Sequence, residues 1–142
     1  MHHLNPEELK SLKIFSTLEP EEWNEVYPLL NRIKVIEGEE LIRAGTSAHT
    51  FFVILHGHFM IHFPDGRALT VNKKGDVIGW SSVISPFRYT ANVTALTKGE
   101  VLSIPGAKFL ELLQSNAELG DKLVKTINEL VHNRRRINKG SD

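Results

Sequence analysis

The feature that most limits how this chain can fold is the spacing of its glycines. Between Arg32 and Ser103 the sequence runs as short apolar stretches rich in valine, isoleucine, threonine and phenylalanine. Gly38, Gly45, Gly57, Gly66, Gly75, Gly79 and Gly99 interrupt it. Glycine reaches backbone conformations that other residues avoid, so each interruption is a candidate turn. Short strands with turn signals at such spacing build a sandwich or a barrel-like roll. Eight strands are expected, over 33–36, 40–42, 51–55, 58–63, 68–71, 77–78, 91–96 and 101–104. The clearest alternation sets Phe59, Ile61 and Phe63 against His58, Met60 and His62, on opposite faces of one strand. Pro64-Asp65-Gly66-Arg67 then reads as the hairpin turn.

The flanks have a helical period. Asn5-Pro6-Glu7-Glu8 reads as a helix start, with asparagine at the cap, proline in the first turn and glutamate three residues after the cap. Pro20-Glu21-Glu22 repeats the signal. After Pro105-Gly106, Phe109, Leu110, Leu112 and Leu113 mark a short helix. Leu119, Leu123, Ile127, Leu130 and Val131 stripe a longer one that ends near Arg134, Arg135 and Arg136. The expected architecture is mainly β with flanking helices: an eight-stranded, jelly-roll-like β-roll between N-terminal helices and a C-terminal helix pair. A single domain over 1–142 is expected, with helices in 1–31, the roll in 32–105 and the closing helices in 106–138.

Length and charge narrow the function. A chain of 142 residues buries one core, and two full domains would be cramped. Lysine plus arginine balances aspartate plus glutamate at 17 each, so no global field draws the molecule to nucleic acid or an anionic membrane. Any ligand charge must be met locally. The absence of cysteine rules out disulfides, thiolate nucleophiles and cysteine-ligated metals, and fits a reducing, cytoplasmic setting. No stretch approaches the roughly 20 apolar residues a bilayer span needs, so no membrane partner is expected.

Four segments carry a family likeness: Gly38-Glu39-Glu40-Leu41-Ile42-Arg43-Ala44-Gly45, Phe51-Phe52-Val53-Ile54-Leu55-His56-Gly57, Lys74-Gly75-Asp76-Val77-Ile78-Gly79 and Arg88-Tyr89-Thr90-Ala91. In order and spacing they resemble the cyclic-nucleotide-binding domain of the catabolite activator family, protein kinase A regulatory subunits and gated channels. They are similar to that domain's early glycine-to-glycine turn, its central strand, and the approach to and end of its phosphate-binding cassette, here 79–91. The cassette also has a logic of its own. Gly79 lets backbone approach a ligand closely, a short helical turn over Ser81 to Ile84 would aim N–H groups at an anion, and Arg88 can fork two hydrogen bonds to phosphate oxygens. The resemblance implies the same role for Arg88, with a hydroxyl and amides nearby. The candidate ligand-binding residues are Gly79, Trp80, Ser81, Ser82, Arg88, Tyr89 and Thr90.

Departures from the family pattern bear on the ligand. Trp80 stands where the family carries a glutamate that accepts a ribose hydroxyl, and an indole offers one donor and no acceptor. Losing a hydrogen bond to a charged acceptor costs about 1.5 to 3 kcal/mol, more than tenfold in affinity. Tyr89 replaces a small residue, and the segment from Trp80 to Arg88 is short. Trp80 either stacks on a base or packs into the pocket, with packing favoured.

The resulting expectation is a sensing module that binds a cyclic nucleotide or related small anion, signals through its last helix and catalyses nothing. It needs no metal or organic cofactor. The stripe of Leu123, Ile127, Leu130 and Val131 either pairs two chains or caps the roll, and a homodimer through it is the expectation. No DNA binding is expected, because a helix-turn-helix domain would have to follow the closing helix. The alternatives are a cupin-like metal enzyme using His56, His58 and His62, which on one strand would share a face, and a ligand-free protein-interaction scaffold. Cupins, however, place a glutamate soon after the paired histidines, where Phe59, Met60 and Ile61 stand here. Gly79-Trp80-Ser81-Ser82-Val83 lacks the closing glycine of a nucleophile elbow.

Overall fold

A computed structural model describes residues 5–84 and 86–140, with side chains described as far as His132. The chain opens with helix α1 (Pro6–Lys10), where the Asn5 side chain accepts the Glu7 N–H at 3.0 Å and Pro6 fills the first turn. Helix α2 (Pro20–Val26) starts on a capping box. Glu19 takes the cap, and the Glu22 carboxylate accepts the Glu19 N–H at 2.8 Å. Both starts lie where proline and glutamate placed them.

Eight strands follow among the described residues: β1 (Asn31–Val35), β2 (Glu40–Ile42), β3 (Thr50–His56), β4 (Phe59–His62), β5 (Ala68–Val71), β6 (Val77–Ile78), β7 (Asn92–Ala95) and β8 (Gly99–Pro105). They form two four-stranded sheets, β1-β8-β3-β6 and β2-β7-β4-β5, with antiparallel pairing in both. The eight-stranded roll expected from the glycine spacing is therefore present. In the β4–β5 hairpin the Phe63 N–H donates to the Arg67 carbonyl and the Gly66 N–H to that of Phe63.

Two apolar clusters divide the side chains. One lies within the roll and includes Ile54, Phe59, Ile61, Ile78, Val93 and Val101. The other joins the outer face of the first sheet to the helices and includes Phe51, Val53, Leu102, Ile104, Phe109 and Leu119. Strand β3 serves both, with Phe51, Val53 and Leu55 facing the helices and Ile54 facing the interior. Burial on both faces explains why it reads as a continuous apolar run.

Helix α3 (Gly106–Ser115) and helix α4 (Ala117–Gly140) close the structure. On α4, Leu119, Leu123 and Ile127 are fully buried in the helical cluster, and Leu130 and Val131 pack against it. The stripe thus caps the roll, and its inner residues are already covered within one chain. Leu123 and Ile127 of that stripe are buried within one chain, while Leu130 and Val131 are half-buried. The side chains of Arg134, Arg135 and Arg136 fall outside the described residues.

Candidate ligand-binding site

Gly79 ends β6 in a left-handed conformation, φ 81°, which turns the chain directly into a 3-10 turn over Trp80–Val83. A Cβ at this position would lie 2.9 Å from the Ile42 side chain and 3.1 Å from the Thr50 carbonyl, so the backbone approach demands glycine. The expected helical turn is present but is a single turn, one residue earlier than expected, and its Ser82 N–H already donates to the Gly79 carbonyl at 3.1 Å.

Below this turn is a cavity of about 180 Å³ bounded by the inner faces of both sheets, the cassette and α4. Gly79, Trp80, Ser81, Tyr89 and Thr90 line it, as expected. Ile42, Ile78, Val93 and Val131 line it as well. In the sequence these four read as core positions, because only the convergence of distant strands turns an alternating apolar face into a cavity wall. None of the lining side chains carries a formal charge.

Trp80 is half-buried and packs edge-on against Phe51 at 5.5 Å and Phe109 at 6.2 Å between ring centres. It is anchored in the helical cluster while also forming part of the cavity wall. The Tyr89 hydroxyl is spent on the backbone, donating to the Thr50 carbonyl and accepting the Thr50 N–H. A tyrosine in place of a small residue thus pins the end of the cassette to the start of β3.

Arg88 departs from expectation. Its side chain is exposed, donates from Nη1 to the Gly45 carbonyl at 2.9 Å, and lines a neighbouring cleft with Ser47, Ala48, His49, Ser82 and Ala107. The seven candidate residues are thus split. Five surround the cavity, while Ser82 and Arg88 belong to the cleft beside it. The cause is local: a bridge between Ser47 and Arg88, with the Gly45 N–H donating to the Tyr89 carbonyl, lays the cassette exit along the 43–48 turn.

His56, His58 and His62 are not gathered on one strand. His56 ends β3, Gly57 (φ 113°) breaks the strand, and His62 lies on β4 in the other sheet, so the three imidazoles do not share one strand. His56 instead contacts Glu100 at 3.0 Å, and Arg32 holds the Glu100 carboxyl below its usual range. Among the described residues no group of three or more potential ligands is gathered for a metal ion, and no described helix is long and apolar enough to cross a membrane.

Two antiparallel sheets, a glycine-led cassette over a cavity and a closing helix pair define a β-roll with helices on its flanks. The cyclic nucleotide-binding domain family matches residues 32–116, more than half of the chain, and the chain belongs to that family. An uncharacterized NTE family protein of Mycobacterium bovis is 24% identical over 89% of this chain and 22% of its own length. The cAMP-dependent protein kinase type II regulatory subunit of Drosophila melanogaster is 28% identical over 78% of this chain and 29% of its own. The chain thus spans less than a third of either relative. A putative cyclic nucleotide-binding protein of Geobacter metallireducens has a similar solved structure, with a TM-score of 0.85, 23% identity, and coverage of 93% of this chain and 98% of that one.

Proposed function

We propose that this domain is a small-molecule sensor in which a ligand in the cassette cavity displaces the outer part of α4. The observation that carries this reading is Val131: a residue of the closing helix forms one wall of the cavity that Gly79, Trp80, Ser81 and Tyr89 also line. Pockets for small molecules commonly measure about 300 to 1,000 Å³. At about 180 Å³ the cavity is below that range while α4 is in place. A ligand of nucleotide size must therefore push the helix outward, and such a ligand favours the displaced state by its differential affinity.

Cyclic nucleotides are the ligand class suggested by the family. Uncharged walls favour the base over the phosphate, and Trp80 supplies no acceptor for a ribose hydroxyl. Binding is expected to be weaker by about tenfold or more than at a site that retains the carboxylate. With Arg88 facing the cleft, Arg88→Ala should leave cavity binding unchanged.

The test combines calorimetry with cyclic AMP, cyclic GMP and a cyclic dinucleotide and a distance measurement between spin labels. The chain has no native cysteine, so His132→Cys on α4 and Thr70→Cys on β5 give two unique labels. Saturable heat with a lengthened label distance is expected. Saturable heat with an unchanged distance would sink the helix coupling, and no heat from any of the three would favour the protein-interaction scaffold.

A further inference from the structure

The chemistry of the cavity walls points to a second class of ligand, one that fits while α4 is in place. Every side chain that lines the cavity is uncharged. Ile42, Ile61, Ile78, Ala91 and Val93 form its apolar part, and each is 8% exposed or less. Rings from Phe63, Trp80 and Tyr89 complete it. The Tyr89 hydroxyl is committed to the Thr50 backbone. The aliphatic hydroxyls at the site belong to Ser81, half-buried, and Thr90, exposed. The Arg88 guanidinium lines the neighbouring cleft instead. An anion that entered this space would lose its hydration and find no opposite charge, whereas a neutral molecule loses little.

Size selects further. An apolar cavity of about 150 Å³ in another protein takes up benzene. The cavity here, about 180 Å³ behind walls of similar character, has room for a ring of that kind without displacement of the helix. We propose that the closed cavity binds a neutral molecule of about one aromatic ring, carrying at most an uncharged polar group toward Ser81 or Thr90, and that this molecule holds α4 against the roll. The proposal rests on the reading of the cavity as the ligand site and assigns that site a second, opposing ligand. A ring seated against Val131 adds apolar contact to the helix only in its closed position, so it favours that position by differential affinity. A molecule of nucleotide size requires the displaced position. The two classes therefore exclude each other, and the small one acts as an antagonist of the large one.

Benzamide and benzoate make the test, because they share a shape and differ in charge at neutral pH. Each is titrated while the Val93 and Val131 methyl groups are followed by NMR, and the label distance between His132→Cys and Thr70→Cys is measured in parallel. Benzamide should give saturable shifts at both residues, leave the label distance unchanged and raise the melting temperature. Benzoate should bind at least about tenfold more weakly. Ala91→Leu fills the cavity from a buried position and should abolish the benzamide shifts. Val131→Ala, at a half-buried position where truncation is tolerated, should weaken them and so tests the site in a chain that folds. Equal affinity for benzoate, a label distance lengthened by benzamide, or shifts untouched by both substitutions would overturn the proposal. Cyclic AMP in a further arm separates the two readings. Binding of cyclic AMP without binding of benzamide sinks the antagonist alone, and binding of neither sinks the cavity as a ligand site as well. Where both bind, benzamide should lower the apparent affinity for cyclic AMP, and independent binding would refute the shared site.

Discussion

At the scale of single residues, Gly79 and Gly38 make a controlled pair. Both have positive φ, 81° and 86°, but a Cβ on Gly38 meets nothing within 4 Å whereas one on Gly79 meets the Ile42 side chain and two backbone atoms. Gly38→Ala should cost only the left-handed strain, about 1 to 2 kcal/mol. Gly79→Ala adds overpacking and should cost about 2 to 5 kcal/mol. Urea unfolding of the two variants checks this, and equal losses would mean that Gly79 is needed for its φ alone. The need for glycine could be read from the chain, but the atoms that close on it could not, because Ile42 and Thr50 arrive from other strands. Trp80 follows the same rule: the missing carboxylate is plain in the sequence, while the direction of the indole depends on Phe51 and Phe109. The position of Arg88 was legible too. Its outward turn was not, since the Gly45 carbonyl that accepts from it lies 43 residues away.

At the scale of elements, all eight strands and the helix starts were visible in the sequence because period, glycine and caps are local signals. The alternative of three histidines on one strand fails for an equally local reason, since Gly57 ends one strand and sends the next into the other sheet. Contacts between elements carry no such signal. Lys122 on α4 bonds the Glu22 carboxylate on α2 at 2.7 Å, 100 residues apart. That hydrogen bond, with the Glu19 N–H, holds the Glu22 carboxyl below its usual 4.5, and Lys122 is raised above its usual 10.5 chiefly by the same bond. A lowered carboxylate pKa means that the unfolded chain binds the proton first as acid is added. The stabilisation is therefore complete above about pH 4.5 and is lost as pH falls through the lower folded value. On the alkaline side it fades as pH rises through the raised Lys122 value. Glu22→Gln should lower the melting temperature near neutral pH, and the gap from the wild-type chain should close on acidification. A gap that persists unchanged at pH 2 would assign it to packing and not to charge.

For the molecule as a whole, the core packing of α4 constrains the sensing role proposed for it. Leu119, Leu123 and Ile127 are fully buried and complete the helical core. Each contributes about 1.5 to 3 kcal/mol of apolar burial, and a domain of this kind is stable by only about 5 to 15 kcal/mol in total. A ligand that lifted the entire helix would lose most of that stability. The half-buried Leu130 and Val131 belong to the next turn, and Val131 is the residue that meets the cavity. In the proposed sensor, movement in response to a ligand would therefore be confined to the helix beyond Ile127, with the first three turns acting as a fixed anchor. Amide hydrogen exchange checks this. Protection should be high through residues 119–127 whether or not the cavity is filled, and should change with ligand only from about residue 130 onward. Loss of protection at Leu123 on ligand binding would mean that the core opens, and the anchored-helix account would have to be given up.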